Sequence, residues 1–329
     1  MGGNIWKTPR LEKSKYIELQ KEILDKLSYT YRPFFIPRTF SEKPDFGDED
    51  LLLEFPLITD QYLIDAFKIT PQDISLNSSV KSFKYKNFQI DLVHHNKEDL
   101  QTAWNYYSYG DLSNLIGVIA NKLGLRYTHR GLTCPIKLKK EDVLGDIVIS
   151  KNIKKIMSFL GLDYTKWKDG FSNELESFQW LTESCYFNKS YFDFAEYNHQ
   201  NRTRNRKRQM HSRFVEWVKD KEFTNNHEVT DNLSEHIWRA CVHFQDMSWL
   251  GNAENLMEAR IAEINANNKW NANDIIRITG LSNKELGQCI AAWKKNLENG
   301  FTCLTINNYQ LYILVNKKEN IELEFTNCY

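Results

Sequence analysis

Asp48 and Asp50 stand one residue apart in the run PDFGDEDLLLEFPL, residues 44–57. Side chains alternate along an extended strand, so both carboxylates point to the same side. Held about 4–5 Å apart, they repel each other by roughly 3–4 kcal/mol at an effective dielectric near 20. Such a pair persists when a proton or a cation sits between its members, and hard divalent cations favour clusters of carboxylate oxygens. Asp91 is a third acid, alone in the apolar run FQIDLV at 88–93. If the two runs lie side by side as strands, Asp48, Asp50 and Asp91 join in one cluster. Three carboxylates on two adjacent strands suit a two-metal site that grips a triphosphate and activates a hydroxyl. A plainer reading competes with this: Asp48 caps the turn after Gly47, Asp50 is solvated, and Asp91 sits at a sheet edge.

The elements that must position these acids are short. Leu51, Leu52, Leu53 and Phe55, bounded by Pro44, Gly47 and Pro56, predict a buried strand. In the second run Phe88, Ile90 and Leu92 share one face, while Gln89, Asp91 and Val93 share the other. Residues 11–28 carry Ile17, Ile23, Leu24 and Leu27 near helical spacing, an amphipathic helix suited to pack on the sheet. Asp60–Phe67 reads as a short helix and Asn77–Ser82 as a turn. Lys81, Lys84 and Lys86 read as charged edge positions, with phosphate contact as the alternative. Asp146–Ser150 is a further strand, after which the pattern turns helical over 151–160, 172–185, 205–221, 231–248, 251–267, 271–280 and 282–298. Asn307-Asn308 marks a hairpin within 301–315. The expected fold class is therefore α+β: a small mixed β-sheet head over residues 1–150, then a mainly helical C-terminal domain over residues 151–329.

The run GDEDLLL, followed by a lone Asp in a later strand, resembles the polymerase-beta-like nucleotidyltransferase superfamily, which includes poly(A) polymerases and CCA-adding enzymes. The resemblance covers roughly residues 30–130. It implies a nucleotidyltransferase head in which Asp48 and Asp50 are metal ligands. Asp91 is then the third ligand and helps deprotonate the attacking hydroxyl. It also implies two Mg²⁺ ions (Mn²⁺ as a substitute), an NTP substrate and ATP or another nucleotide bound at the head. One departure stands out: where the family carries a Gly-Ser pair that holds the triphosphate, this chain has Pro37-Arg38 within IPRTFSEKP. Arg38, Thr39, Ser41 and Lys43 are the residues left there to contact phosphate. Residues 270–293, WNANDIIRITGLSNKELGQCIAAW, loosely resemble the helix–turn–helix behind the catalytic head of the same enzymes.

Other stretches offer contacts to a nucleotide or a nucleic acid. Gly110-Asp111, followed by Leu112, Leu115, Ile116, Ile119 and Leu123, marks a helix start capped by Asp111. Helix N-termini suit anions, which makes Ser113 and Asn114 candidate nucleotide contacts, and Tyr106, Tyr107 and Tyr109 could stack on a base. Against this, Asp111 repels phosphate, and half-buried tyrosines are ordinary packing. His129 and Arg130 could touch a substrate backbone, although a lone His-Arg on a surface loop is more often structural or simply solvated. His94 and His95 point to opposite faces of a strand and cannot easily share a metal. Arg202, Arg204, Arg206, Lys207 and Arg208 place five positive charges within seven residues. Such a run repels itself unless a polyanion or local acids lie nearby, and an RNA backbone is the natural polyanion.

Composition limits the remaining classes. The 329 residues hold 43 basic and 43 acidic side chains, so any nucleic-acid attraction must be local rather than global. No apolar run approaches the roughly 18 residues a membrane helix needs, and MGGNIWKTPR lacks a signal-peptide core. The six cysteines are scattered with no C-x-x-C pair, which reads as free thiols in a reducing cytoplasm rather than a zinc site. The expectation is a soluble cytoplasmic enzyme that moves NMP from an NTP to a hydroxyl, an RNA 3′ end by preference, with release of pyrophosphate. The competing expectations are a second-messenger or small-molecule nucleotidyltransferase and an inactive binding protein of the same fold.

Overall fold

A computed structural model describes residues 5–27, 34–137, 143–193, 203, 208–223, 233–246 and 248–266. The helices expected over 271–280 and 282–298, the hairpin at 301–315, and Arg202, Arg204, Arg206 and Lys207 lie outside the described residues.

The chain is mixed α/β, compatible with an α+β class, and its four-stranded sheet is mixed. A two-residue strand β1 (Leu11–Glu12) pairs antiparallel with β2 (Asp45–Phe46), and α1 (Lys13–Leu27) follows β1 directly. The main sheet comprises β3 (Asp48–Glu54), β4 (Ile74–Asn77), β5 (Val80–Tyr85) and β6 (Phe88–His95), in the order β3-β6-β5-β4. β3 and β6 run parallel; the other neighbours are antiparallel. Such a parallel pair needs a long crossover. It is supplied here by α2 (Asp60–Phe67) and the β4–β5 hairpin. Phe35 exchanges both backbone bonds with Leu52 (3.0 and 2.9 Å), which covers the outer edge of β3.

The β3–β6 register follows from which faces are buried. Leu51, Leu53, Ile90 and Leu92 are all at most 2% exposed. They pack in one core with Tyr16, Leu19, Ile23 and Leu27 of α1 and with Leu63 and Phe67 of α2. Each such side chain stabilises by about 1.5–3 kcal/mol, and a one-residue slip would turn them all to the opposite face. The other face divides in two. Near the strand ends Leu52 and Val93 pack under Leu100 and Ala103 of α3 (Leu100–Tyr107). At the start of β3 that same face carries Asp48 and Asp50.

Beyond α3 the chain turns sharply at Tyr109 (φ +63°) and Gly110 (φ +64°) into α4 (Leu112–Lys122). A three-stranded sheet follows: β7 (Arg126–Thr128), β8 (Gly131–Lys137) and β9 (Val143–Ser150). The expected strand at 146–150 thus starts earlier. The helical stretch opens with α5 (Ile153–Phe159), α6 (Tyr164–Asp169) and α7 (Glu174–Thr182). The sequence pattern alone did not reveal α6. Helices Gln209–Lys219, Leu233–Phe244 and Ser248–Ala266 complete the described chain. Its described residues divide into two compact units: those up to 134 with those from 147 to 246, and those within 135–146 with those from 248 to 266. Among the described residues no helix is long and apolar enough to cross a membrane, and Cys134, Cys185 and Cys241 are free thiols.

Two local expectations are corrected. β5, which holds Lys81 and Lys84, is a central strand rather than an edge, because β4 pairs beyond it. Its cations are accordingly paired: Lys81 with Asp60 and the Ile58 carbonyl, Lys84 with Asp73, and the adjacent Lys86 with Glu22. Asp111 sits at the N-cap of α4, yet its side chain makes no capping bond. Its carboxylate pairs with Arg208 at 2.7 Å instead.

Candidate metal centre

Because β3 and β6 are parallel, Asp50 lies opposite Asp91 and Asp48 lies opposite Gln89. The three acids therefore share a face, and one carboxylate oxygen of each lies within 4.8 Å of the others. Burial first, and then the neighbouring Asp91, raise the Asp48 carboxyl above its ordinary range. Asp50 is pushed well above it, by burial and then by Asp48, Asp91 and Glu49 in turn. Among the described residues no Lys, Arg or His forms an ion pair with any of the three. Hard oxygen donors converging with no ion-pair partner among the described residues are the donor set a divalent cation takes. The residues present fit such an ion.

Lys43 and, more weakly, Arg10 act on Asp48 through charge. The Lys43 ammonium lies 4.4 Å from the centroid of the Phe46 ring. Burial lowers its pKa, against the raising pull of Asp48 and then Asp50. Tyr107, at the end of α3, is pushed up to about 12 by burial first, and then by Tyr106 and Asp50.

Two residues of the site gave no signal in the sequence pattern. Gln89 is 3% exposed and its Nε2 donates to both oxygens of Asp91, at 3.0 Å each. Its Oε1 accepts from the backbone N–H of Ile5 at 3.1 Å. Glu49 faces away from the triad, 1% exposed, and accepts from Gln20 (3.1 Å) and from Tyr16. Burial pushes its carboxyl up to about 7. On the otherwise apolar face of β3, Glu49 is explained by these partners on α1.

The remaining candidates spread out. The Arg38 guanidinium lies 4.8, 5.0 and 5.1 Å from the rings of Trp104, Tyr109 and Trp167, and donates to the Trp167 carbonyl at 2.7 Å. Its charge is absorbed by packing rather than presented to a ligand. Ser41 is exposed, with its carbonyl held by Lys13 at 2.6 Å. Thr39 and Lys43 line a recess of about 540 Å³, together with Arg10, Gly110, Asn173 and Arg213. Ser113 is buried in α4, and Asn114 Oδ1 lies 3.1 Å from His211 Nδ1, so neither side chain faces the triad's oxygens as a free contact. Tyr109 is buried against Phe40, Trp167 and Phe171, which is packing. His94 and His95 do part to opposite sides: His94 accepts from the Ile58 N–H at 3.3 Å, while the His95 ring packs near Tyr107 and His129. Arg208 is the described member of the basic run. Compared with known proteins, the chain matches no family model and no curated sequence, so its function has to be argued from the site itself.

Proposed function

We propose that this chain is a metal-dependent nucleotidyltransferase that moves a nucleoside monophosphate from an NTP to a hydroxyl and releases pyrophosphate. The observation that carries the reading is the convergence of Asp48, Asp50 and Asp91 within 4.8 Å on two parallel strands. Those three carboxylates would hold two Mg²⁺ ions, with Mn²⁺ able to replace them. When bound, the ions neutralise the triphosphate and the leaving pyrophosphate and acidify the attacking hydroxyl. In the reaction the hydroxyl oxygen bonds to the α-phosphorus as the bond from that phosphorus to the pyrophosphate oxygen breaks. Asp91, the acid on the second strand, takes the role of receiving the hydroxyl proton. Lys43, whose charge interacts with Asp48 and then Asp50 and which lines the recess with Arg10 and Thr39, would offer an ammonium to the phosphates. The recess is large enough for a nucleoside. The basic run from Arg202 to Arg208 favours an RNA 3′ end as the acceptor.

A second reading, an inactive binding protein of the same fold, is favoured by one observation. The slot where the family carries Gly-Ser holds Pro37-Arg38, and the Arg38 guanidinium is enclosed by three aromatic rings. Incubation with α-labelled NTPs, Mg²⁺ or Mn²⁺ and bulk RNA separates the two. Incorporation by the wild type, lost in Asp48→Asn/Asp50→Asn, supports the enzyme; no incorporation with either metal supports the inactive reading. A salt-sensitive shift of RNA mobility that disappears when Arg204, Arg206 and Arg208 become Ala supports RNA as the acceptor. Incorporation into a small hydroxyl compound but not RNA would replace that subclass.

A further inference from the structure

We propose that Gln89 is a positioning residue for Asp91, itself set by the backbone N–H of Ile5; the inference rests on the metal centre proposed above. The geometry fixes which end of the amide faces which partner. A backbone N–H can only donate, so the Gln89 atom 3.1 Å from Ile5 N is the carbonyl oxygen, and the amino group is the end facing Asp91. That nitrogen lies 3.0 Å from each carboxylate oxygen, so one of its N–H bonds points between them and is shared by both. A carboxylate has about four lone-pair directions. The shared N–H occupies the inner pair of directions and so holds the carboxylate in one orientation, while the outer directions stay open to other partners.

The strand register shows why this corner is an amide. Asp48 pairs with Gln89 and Asp50 with Asp91, so the four side chains form a square on one face with acids at three corners. A fourth acid would add repulsion to a cluster already short of positive charge. An apolar side chain would leave Asp91 free to rotate out of the cluster. Gln89 is 3% exposed, so water does not compete for its donors, and bonds to an ionised acceptor are the stronger kind. Outer partners of this sort orient metal ligands, and losing one costs about 10–100-fold in metal affinity or activity. Ile5 is 48% exposed, and its backbone N–H, rather than its side chain, is what reaches Gln89.

The test is a Mn²⁺ titration of the NTP-free protein, followed by electron paramagnetic resonance, with melting temperatures measured in EDTA. Wild type is expected to bind Mn²⁺ at a site lost in Asp91→Asn. Gln89→Leu is expected to weaken that site about 10–100-fold with little change in melting temperature. Ile5→Pro, at an exposed position, removes the N–H that sets Gln89 and is expected to weaken it about 2–10-fold. A folded Gln89→Leu that binds Mn²⁺ as wild type does overturns the proposal. If that variant does not fold, an unchanged affinity in Ile5→Pro overturns it instead. Mn²⁺ binding indifferent to Asp91→Asn overturns the metal centre, and the role of Gln89 with it, so the two failures are told apart.

Discussion

Asp50 and Asp91 are register partners on the parallel β3–β6 pair, with one carboxylate oxygen of each within 4.8 Å and no ion pair to either among the described residues. Burial and this proximity raise the Asp50 carboxyl well above its ordinary range. The ionised site is thus a source of instability until a cation arrives. Asp50→Asn should raise unfolding free energy in EDTA by about 1 kcal/mol, the scale of other charge-relieving changes. Mg²⁺ at about 100 times its Kd should add about 2.7 kcal/mol to wild type and nothing to the variant. Urea denaturation with and without Mg²⁺ reads both effects; identical curves for the two proteins would mark the acids as an ordinary solvated face.

Arg38 and Lys43 lie in the same segment but should behave differently. Arg38→Ala removes a cation packed on three rings and two carbonyl bonds, from Trp167 (2.7 Å) and Lys168 (3.2 Å). It should destabilise by about 3 kcal/mol while leaving the NTP affinity of the folded fraction unchanged. Lys43→Ala should leave stability within about 1 kcal/mol and raise the NTP KM roughly tenfold, by loss of a charge-assisted phosphate contact. Paired melting and steady-state measurements decide, and a reversed pattern would reassign the phosphate contact to Arg38.

Acid should unfold the protein partly through two histidines. Burial pushes both His95 and His211 down to about 4. A folded pKa below the unfolded value means stability is complete above about 6.5 and is lost as pH falls towards 4, because unfolding then takes up protons. Each site contributes at most about 3 kcal/mol over that window. His95→Phe, whose ring suits the contacts with Tyr107 and His129, should flatten the slope between pH 6.5 and 4. A slope unchanged in that variant would mean the titration lies elsewhere.

Gly131 opens β8 with φ +111°, and a Cβ there would meet the Ser150 carbonyl oxygen at 2.2 Å. Neither the backbone conformation nor the space admits a side chain. Gly131→Ala should cost about 1–3 kcal/mol, whereas Gly117→Ala inside α4, where nothing lies within 4 Å, should stabilise by about 0.5–1 kcal/mol. Comparison of the two melting temperatures checks it.

The alternation of Asp48 with Asp50, the lone Asp91 in an apolar run, the helix Asp60–Phe67 and the repeat behind Gly110-Asp111 were all legible in the sequence. Each depends on periodicity within one element. What the tertiary structure alone decided is which elements meet and in what register. Burial of Leu51 and Leu53 with Ile90 and Leu92 aligns Asp50 with Asp91 and puts Gln89 at the fourth corner. Distant segments converge to enclose Arg38 between Trp104, Tyr109 and Trp167, and to pair Asp111 with Arg208. A charged side chain looks equally available in any sequence window. Whether it faces a ligand or is neutralised by a partner depends on long-range packing, because the cost of burying a charge is settled only by what surrounds it.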